Sequence, residues 1–306
     1  MNGSSSDMEP VVEIRGLTRR FGNKAALDNL SLTVPRGVVF GLVGGNGAGK
    51  TTLIKHVLGL LKAPGGCVRV FGMDPVAEPV AVLGRIGYLS ELRDLPLWIR
   101  VGELLRYMRG FYPKWDDAYA EDLRAQFQLD PRAKVKNLSR GECAKAGLLV
   151  ALAHRPELLV LDEPSSGLDP LVRRNILEAI VRTVAEQGRT VLFSSHLLDE
   201  VERVSDHLAM LVNGRLVMSG TLDAIQESHH RLTVRFAAPQ SVPPSLPGAL
   251  SIAGAGCEWT VVCNGALGQL RTAVEGLGGK IVEEAMPSLD EIFVARATGS
   301  PVQQKS

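Results

Sequence analysis

Apolar and polar positions follow three rhythms along this chain. Residues 11–18 and 26–34 alternate in the manner of strands with one buried face, and the Pro35-Arg36-Gly37 turn closes the second. Together they predict an antiparallel layer. Residues 38–43, 157–161 and 189–195 are instead nearly unbroken apolar runs of strand length, as expected of strands covered on both faces. Shorter runs at 66–72, bounded by glycines, and at 86–89 extend the sheet. Helical periodicity takes over at 52–58 and again at 170–187. Buried strands alternating with helices predict an α/β fold on a mostly parallel sheet covered on both sides.

Between about 92 and 150 the helical period dominates, most clearly at 101–109 and 118–127, which predicts an inserted helical lobe. Asn213-Gly214, set between apolar runs at 207–212 and 215–220, predicts a hairpin. After about residue 228 the texture changes. Residues 237–256 are rich in proline, glycine and serine and read as a loop; strands are expected at 231–236, 258–263 and 280–284, and helices at 267–277 and 289–297. The organisation expected is a flexible tail (1–10), a large domain (11–228), a small α+β unit (229–297) and a frayed end (298–306).

Composition narrows the class. A chain of 306 residues with 45% apolar and 22% charged positions is globular, not fibrous or disordered. A net charge of +1 gives no footprint for nucleic acid or an anionic membrane, so no nucleic acid is expected as partner. No run reaches the roughly 18 apolar residues of a membrane span, and the start lacks the basic and apolar regions of a signal peptide, which points to the cytoplasm. Cys67, Cys143, Cys257 and Cys263 show neither a CxxC pair nor a histidine at zinc-ligand spacing and read as reduced, mostly buried small hydrophobes.

The candidate chemistry begins at Gly44-Gly45-Asn46-Gly47-Ala48-Gly49-Lys50-Thr51, between the apolar run 38–43 and the helix-like 52–58. Glycines let successive backbone N–H groups converge on one anion at a helix N-terminus, Lys50 is placed for terminal phosphates, and the Thr51 hydroxyl for a bridging magnesium ion. A plain strand-to-helix turn is the alternative reading. The run 158–162 ends in Asp162, a carboxylate expected beside this loop to hold magnesium, with Glu163 next to it as general base. Acids also end strands as solvated caps. Leu138-Ser139-Arg140-Gly141-Glu142 reads as a helix start capped by Ser139, or as a hydroxyl, N–H groups and a helix dipole offered to a phosphate. Phe21, before Gly22 in a polar turn, is a loop anchor or a ring stacked on a base.

Taken in order and spacing, these segments resemble the ATP-binding cassette (ABC) ATPase family over about residues 11–220. Residues 44–51 resemble its Walker A motif, 158–162 its Walker B with Glu163 as catalytic glutamate, and 138–142 the ABC signature, which belongs to this family and not to P-loop proteins at large. Ser166-Gly167-Leu168-Asp169 resembles the D-loop, His196 the switch histidine, and Phe21 the aromatic against adenine. The resemblance implies a P-loop NTPase ABC cassette with a mostly parallel core sheet, an antiparallel β layer and a helical lobe, followed by a small C-terminal α+β unit. It implies ATP and Mg2+. Gly44, Asn46, Gly47, Ala48, Gly49, Lys50, Thr51 and Thr52 would bind nucleotide together with Phe21, Glu91, Ser139, Gly141 and Asp169. Thr51, Asp162 and Glu91 would hold the metal, and Glu163 and His196 would act in catalysis. It also implies a homodimer or heterodimer of cassettes, head to tail, in which ATP on Lys50 and Thr51 of one copy is closed by Ser139 and Gly141 of the other.

The sequence departs from the family pattern at three places. Gly45 stands where proline is common, Glu91 where glutamine is usual, and Arg140 and Glu142 replace a glycine and a glutamine of the signature. A single cassette with a glutamate at the position of Glu91 and a tail closing on Pro287-Ser288-Leu289-Asp290-Glu291-Ile292-Phe293 resembles bacterial exporter ATPases that serve a separately encoded permease. That implies a peripheral place on the inner face of the cell membrane. Residues 95–101 lie where such proteins receive the coupling helix of the membrane partner, and Trp98 there reads as docking surface or as lobe core. A soluble ABC ATPase acting on a non-transport macromolecule is the alternative; it usually carries two cassettes or a long coiled-coil insertion, and neither is present. A sensor that binds without hydrolysis is disfavoured by Glu163 and His196. The cargo is not legible, because a cassette contacts the permease and not the substrate.

Overall fold

The computed structural model describes residues 9–92, 94–185, 188–265 and 267–298. Its first strands, β1 (Val12–Phe21) and β2 (Lys24–Val34), pair antiparallel with Val12 opposite Val34. Register slips between Ile14 and Leu17, at Gly16 with φ 59°, so these two apolar residues are both buried despite their odd spacing. β3 (Val39–Val43) is buried at every position and runs into α1 (Lys50–Val57) through the glycine-rich loop. β4 (Gly65–Val70) returns to pair with β1, giving a three-stranded layer in the order β2-β1-β4. This corrects the expectation that residues 66–72 extend the core sheet: only Val68 and Val70 of β4 are buried, while Arg69 between them is exposed, a one-sided pattern suited to a layer and not to a doubly covered sheet.

After α2 (Pro79–Leu83) and β5 (Ile86–Leu89) come three helices, α3 (Val101–Arg109), α4 (Asp117–Gln126) and α5 (Arg140–Leu152), with no strand among the described residues between β5 and β6 (Leu158–Asp162). The chain continues through α6 (Pro170–Ala185), β7 (Thr190–Ser195), α7 (Leu198–Val204), β8 (His207–Val212) and β9 (Arg215–Thr221). Residues 186–187 of the expected 170–187 helix lie outside the described residues. A six-stranded sheet results, in the order β5-β6-β7-β3-β8-β9, with β5·β6, β6·β7, β7·β3 and β3·β8 parallel. β6 and β7 are buried throughout, as their unbroken apolar runs require. β8 turns into β9 at Asn213 and Gly214, with φ of 50° and 79°, the left-handed pair a two-residue hairpin favours.

The chain divides at Ser219/Gly220 into two compact units, earlier than the composition change at 228. α8 (Leu222–Ser228) goes with the second, where Ile225 is buried and its carbonyl accepts from His229 Nδ1 at 2.7 Å. That unit contains β10 (His229–Gln240), β11 (Ala249–Asn264), α9 (Leu267–Gly276), β12 (Gly279–Ala285) and α10 (Leu289–Thr298), with sheet order β11-β10-β12. Its core gathers Leu232, Val234, Phe236, Trp259, Val261 and Val274. The long loop expected at 237–256 shrinks to residues 241–248. β10 pairs with β12 only as far as Phe236, so Pro239 lies where no donor is needed on that side, and β11 absorbs Gly254 and Gly256 at an irregular register. The tails at 1–8 and 299–306 lie outside the described residues.

Candidate active site

α1 begins where the chain has no room for side chains. Gly49, its N-cap, has φ 111°, and a Cβ there would lie 2.5 Å from the carbonyl oxygen of Ala26; a Cβ on Gly44 would lie 2.5 Å from that of Leu211. The loop is therefore pressed against β2 and β8, and Gly47 at φ 78° completes its curl. No side chain caps α1 and no acid occupies its first turn, which leaves its first N–H groups and the positive end of its dipole for an anion.

A cavity of about 640 Å3 opens over this cradle at the carboxyl ends of the parallel strands. It is lined by Asn46, Gly47, Ala48, Gly49, Lys50, Thr51 and Thr52, by Phe21, Lys24 and Ala26 from β1 and β2, and by Glu91, Glu163, Ser166 and His196 from the segments after β5, β6 and β7. Lys50 Nζ donates to the Gly44 carbonyl at 2.6 Å and forms an ion pair with Glu163 Oε1 at 3.0 Å. Glu163 Oε2 is 2.7 Å from His196 Nδ1. Lys50 and Glu163 are both buried, so each charge depends on the other for its solvation, whereas the His196 side chain is 38% exposed. Phe21 is 49% exposed, with the Arg19 guanidinium 4.7 Å from its ring centroid.

Beneath Glu163 lies a second set of contacts. Ser194 Oγ donates to Asp162 Oδ1 at 2.7 Å and accepts the Glu163 backbone N–H at 3.0 Å; Asp162 and Ser194 are opposite one another in the β6·β7 ladder and both are buried. Glu163 itself has φ 48°, in the left-handed region that costs a non-glycine residue about 1 kcal/mol or more. Tyr88 of β5 has its hydroxyl pushed up to about 12, chiefly by burial, with Asp162 and Asp94 adding to it, and so stays neutral. Thr51, Asp162 and Glu91 offer the hard oxygen donors that magnesium prefers. Among the described residues no three His, Cys, Asp or Glu side chains gather to hold a metal ion.

Four predicted nucleotide contacts do not line the cavity: Gly44, whose carbonyl accepts from Lys50, and three residues from elsewhere in the chain. Ser139 is exposed at the start of α5, where its Oγ accepts the Glu142 N–H at 3.2 Å while Glu142 Oε2 accepts the Ser139 N–H at 2.7 Å. This capping box holds the Glu142 carboxyl below its usual range, through the backbone and then the hydroxyl of Ser139. Gly141 is packed on Val172, and Asp169 Oδ1 accepts the N–H groups of Leu171 and Val172 at the start of α6. Sequence reasoning does not single out Lys24 and Ala26, which arrive from a distant hairpin without a motif. Ser194 left one signal: a pair of serines ending an otherwise apolar buried strand.

A glycine cradle at the end of a buried parallel strand, with an acid pair ending the strand beside it, defines a P-loop nucleoside triphosphatase. A family profile described as ABC transporter matches residues 27–166. "ABC transporter ATP-binding protein YtrB" of Bacillus subtilis is 27% identical over 94% of this chain and 99% of its own length, so that match extends into the second unit. "Nod factor export ATP-binding protein I" of Rhizobium leguminosarum bv. viciae is 33% identical over 74% of this chain and 75% of its own. Among solved structures, an ATP-binding subunit of an ABC transporter is 30% identical with a TM-score of 0.65, covering 71% of this chain and 92% of that one. The dimeric ATP-binding cassette MJ0796, bound to ADP and Pi, shares the fold at 20% identity and a TM-score of 0.62, over 69% and 98% of the two chains. The chain belongs to the ATP-binding cassette transporter family as an ATP-binding subunit, and it binds and hydrolyses ATP.

Proposed function

We propose that this chain is the ATPase of an exporter, acting as a dimer of cassettes on a separately encoded membrane permease. The observation that carries the catalytic part is the contact of buried Lys50 and Glu163 with one another and with the partly exposed His196 on the floor of the phosphate cradle. Asn46 to Thr52 would surround the phosphates, with Lys50 on the terminal ones, and Phe21 offers an exposed ring at the rim for adenine. Thr51 and Asp162, with Glu91, would hold Mg2+, which when bound neutralises charge on the phosphate oxygens. Glu163 accepts the proton of the attacking water, and His196 orients its carboxylate through the 2.7 Å contact. Ser139, Gly141 and Asp169, outside their own chain's cavity, are available to close the site of a second copy.

No helix among the described residues is long and apolar enough to cross a membrane. The reading therefore needs a partner surface, and Leu92, Leu97 and Trp98 supply one: they are 80%, 60% and 77% exposed directly after the segment that carries Glu91. That exposure favours docking over lobe core for Trp98. An export direction is supported by the relative named for Nod factor export and by the probable multidrug ABC transporter ATP-binding protein YbhF of Escherichia coli, 35% identical over 71% of this chain. Docked in this way, the chain would lie on the inner face of the cell membrane.

Two measurements test the proposal. Glu163→Gln should lower steady-state ATP turnover about 100-fold or more while leaving ATP binding in place. Purified from membranes at native expression, the chain should bring down a polytopic partner, and Trp98→Glu should abolish that co-purification. Recovery only with a soluble macromolecule would overturn the transport reading.

A further inference from the structure

We propose that Ser194 is a positioning residue for hydrolysis, fixing the Asp162 carboxylate and the Glu163 backbone relative to each other in a way that does not depend on nucleotide. This rests on the roles given above to Asp162 and Glu163. β7 is buried at every position, and a hydroxyl in such a strand is costly unless both its donor and its acceptor capacities are used. Ser194 uses both, donating to Asp162 Oδ1 at 2.7 Å and accepting from Glu163 N at 3.0 Å.

Glu163 is the first residue past β6, so the strand ladder cannot hold it, and its φ of 48° persists only if its surroundings insist on it. Its side chain is held by Lys50 and His196. Both of those restraints are subject to change: Lys50 is the group that phosphates would engage, and His196 is partly exposed. The Ser194 hydroxyl, fully buried and behind the reacting groups, is the side-chain restraint that remains, alongside the Ser166 N–H that donates to the Glu163 carbonyl at 3.1 Å. Ser195 next to it has other partners, accepting the Leu197 N–H at 3.0 Å and donating to Glu200 Oε2 at 3.2 Å, so the two serines are not interchangeable.

The test uses the full chain, with kcat, KM for ATP and the Mg2+ concentration for half-maximal rate measured for Ser194→Ala, Ser194→Cys and Ser194→Thr. Cysteine keeps the volume but hydrogen-bonds weakly, and threonine keeps the hydroxyl. Alanine and cysteine are expected to lower kcat about tenfold or more and raise the half-maximal Mg2+ severalfold, with KM for ATP within about twofold of the wild type and threonine recovering most of the loss. A wild-type kcat in the cysteine variant, a threonine variant as slow as alanine, or losses matched by weaker ATP binding would each overturn the proposal. If wild-type turnover is untouched by Glu163→Gln, the assignment of the base fails; turnover abolished by Glu163→Gln but unchanged by Ser194→Ala and Ser194→Cys sinks this inference alone.

Discussion

Two glycines four residues apart in the phosphate loop make opposite demands. Gly49 combines φ 111° with a carbonyl oxygen 2.5 Å from where a Cβ would sit, whereas nothing lies within 4 Å of a Cβ on Gly45. Gly49→Ala should therefore destabilise the protein by roughly 2–4 kcal/mol and impair ATP binding, while Gly45→Ala should stay within about 0.5 kcal/mol of the wild type. Urea unfolding and nucleotide titration of both variants check this. At this scale the sequence is readable where a site is built from consecutive residues, as from Gly44 to Thr52. It is mute where the contact comes from elsewhere: nothing near Lys24 marks it as lining the same cavity as Lys50, and the proposed role of Ser194 depends on a ladder register that brings Asp162 opposite.

α5 shows how an element is fixed at both ends. Its start is held by the Ser139–Glu142 capping box, and just past its end His154 lies 3.0 Å from the Ile86 carbonyl oxygen and stacks on Tyr112 with ring centroids 3.9 Å apart. Because a carbonyl only accepts, His154 Nε2 carries a proton. Burial pushes its pKa down to about 4 from an ordinary 6.5. The neutral form is the one the fold favours, so this stabilisation is complete above pH 6.5 and is lost as pH falls from there to about 4. The acid-side loss is on the order of 3 kcal/mol. Thermal melts between pH 7 and 4 should show this slope, and His154→Phe, which keeps an aromatic ring against Tyr112, should flatten it while lowering stability at pH 7. Helix ends of this kind are legible because a cap and its partner lie within one turn. The extents of β10 and β11 are not, since prolines and glycines that usually mark loops are accommodated where one side of the ladder has already ended.

On the scale of the whole molecule, the proposed dimer would make the chain carry two halves of different sites. Lys50 and Glu163 lie in its own cavity; Ser139 and Gly141 do not. With ATP and Mg2+, Glu163→Gln should run as a dimer in light scattering. Adding Ser139→Ala should shift it toward monomer while single-chain ATP affinity changes by less than about twofold, since Ser139 makes no contact with its own cavity. The pairing of Lys50 with Glu163 has its own consequence here. One ammonium holds the carboxylate proposed as the base, and the same ammonium is the group that phosphates would engage. Under that reading, loading the substrate would release the base, an interlock in which arrival and arming are one event.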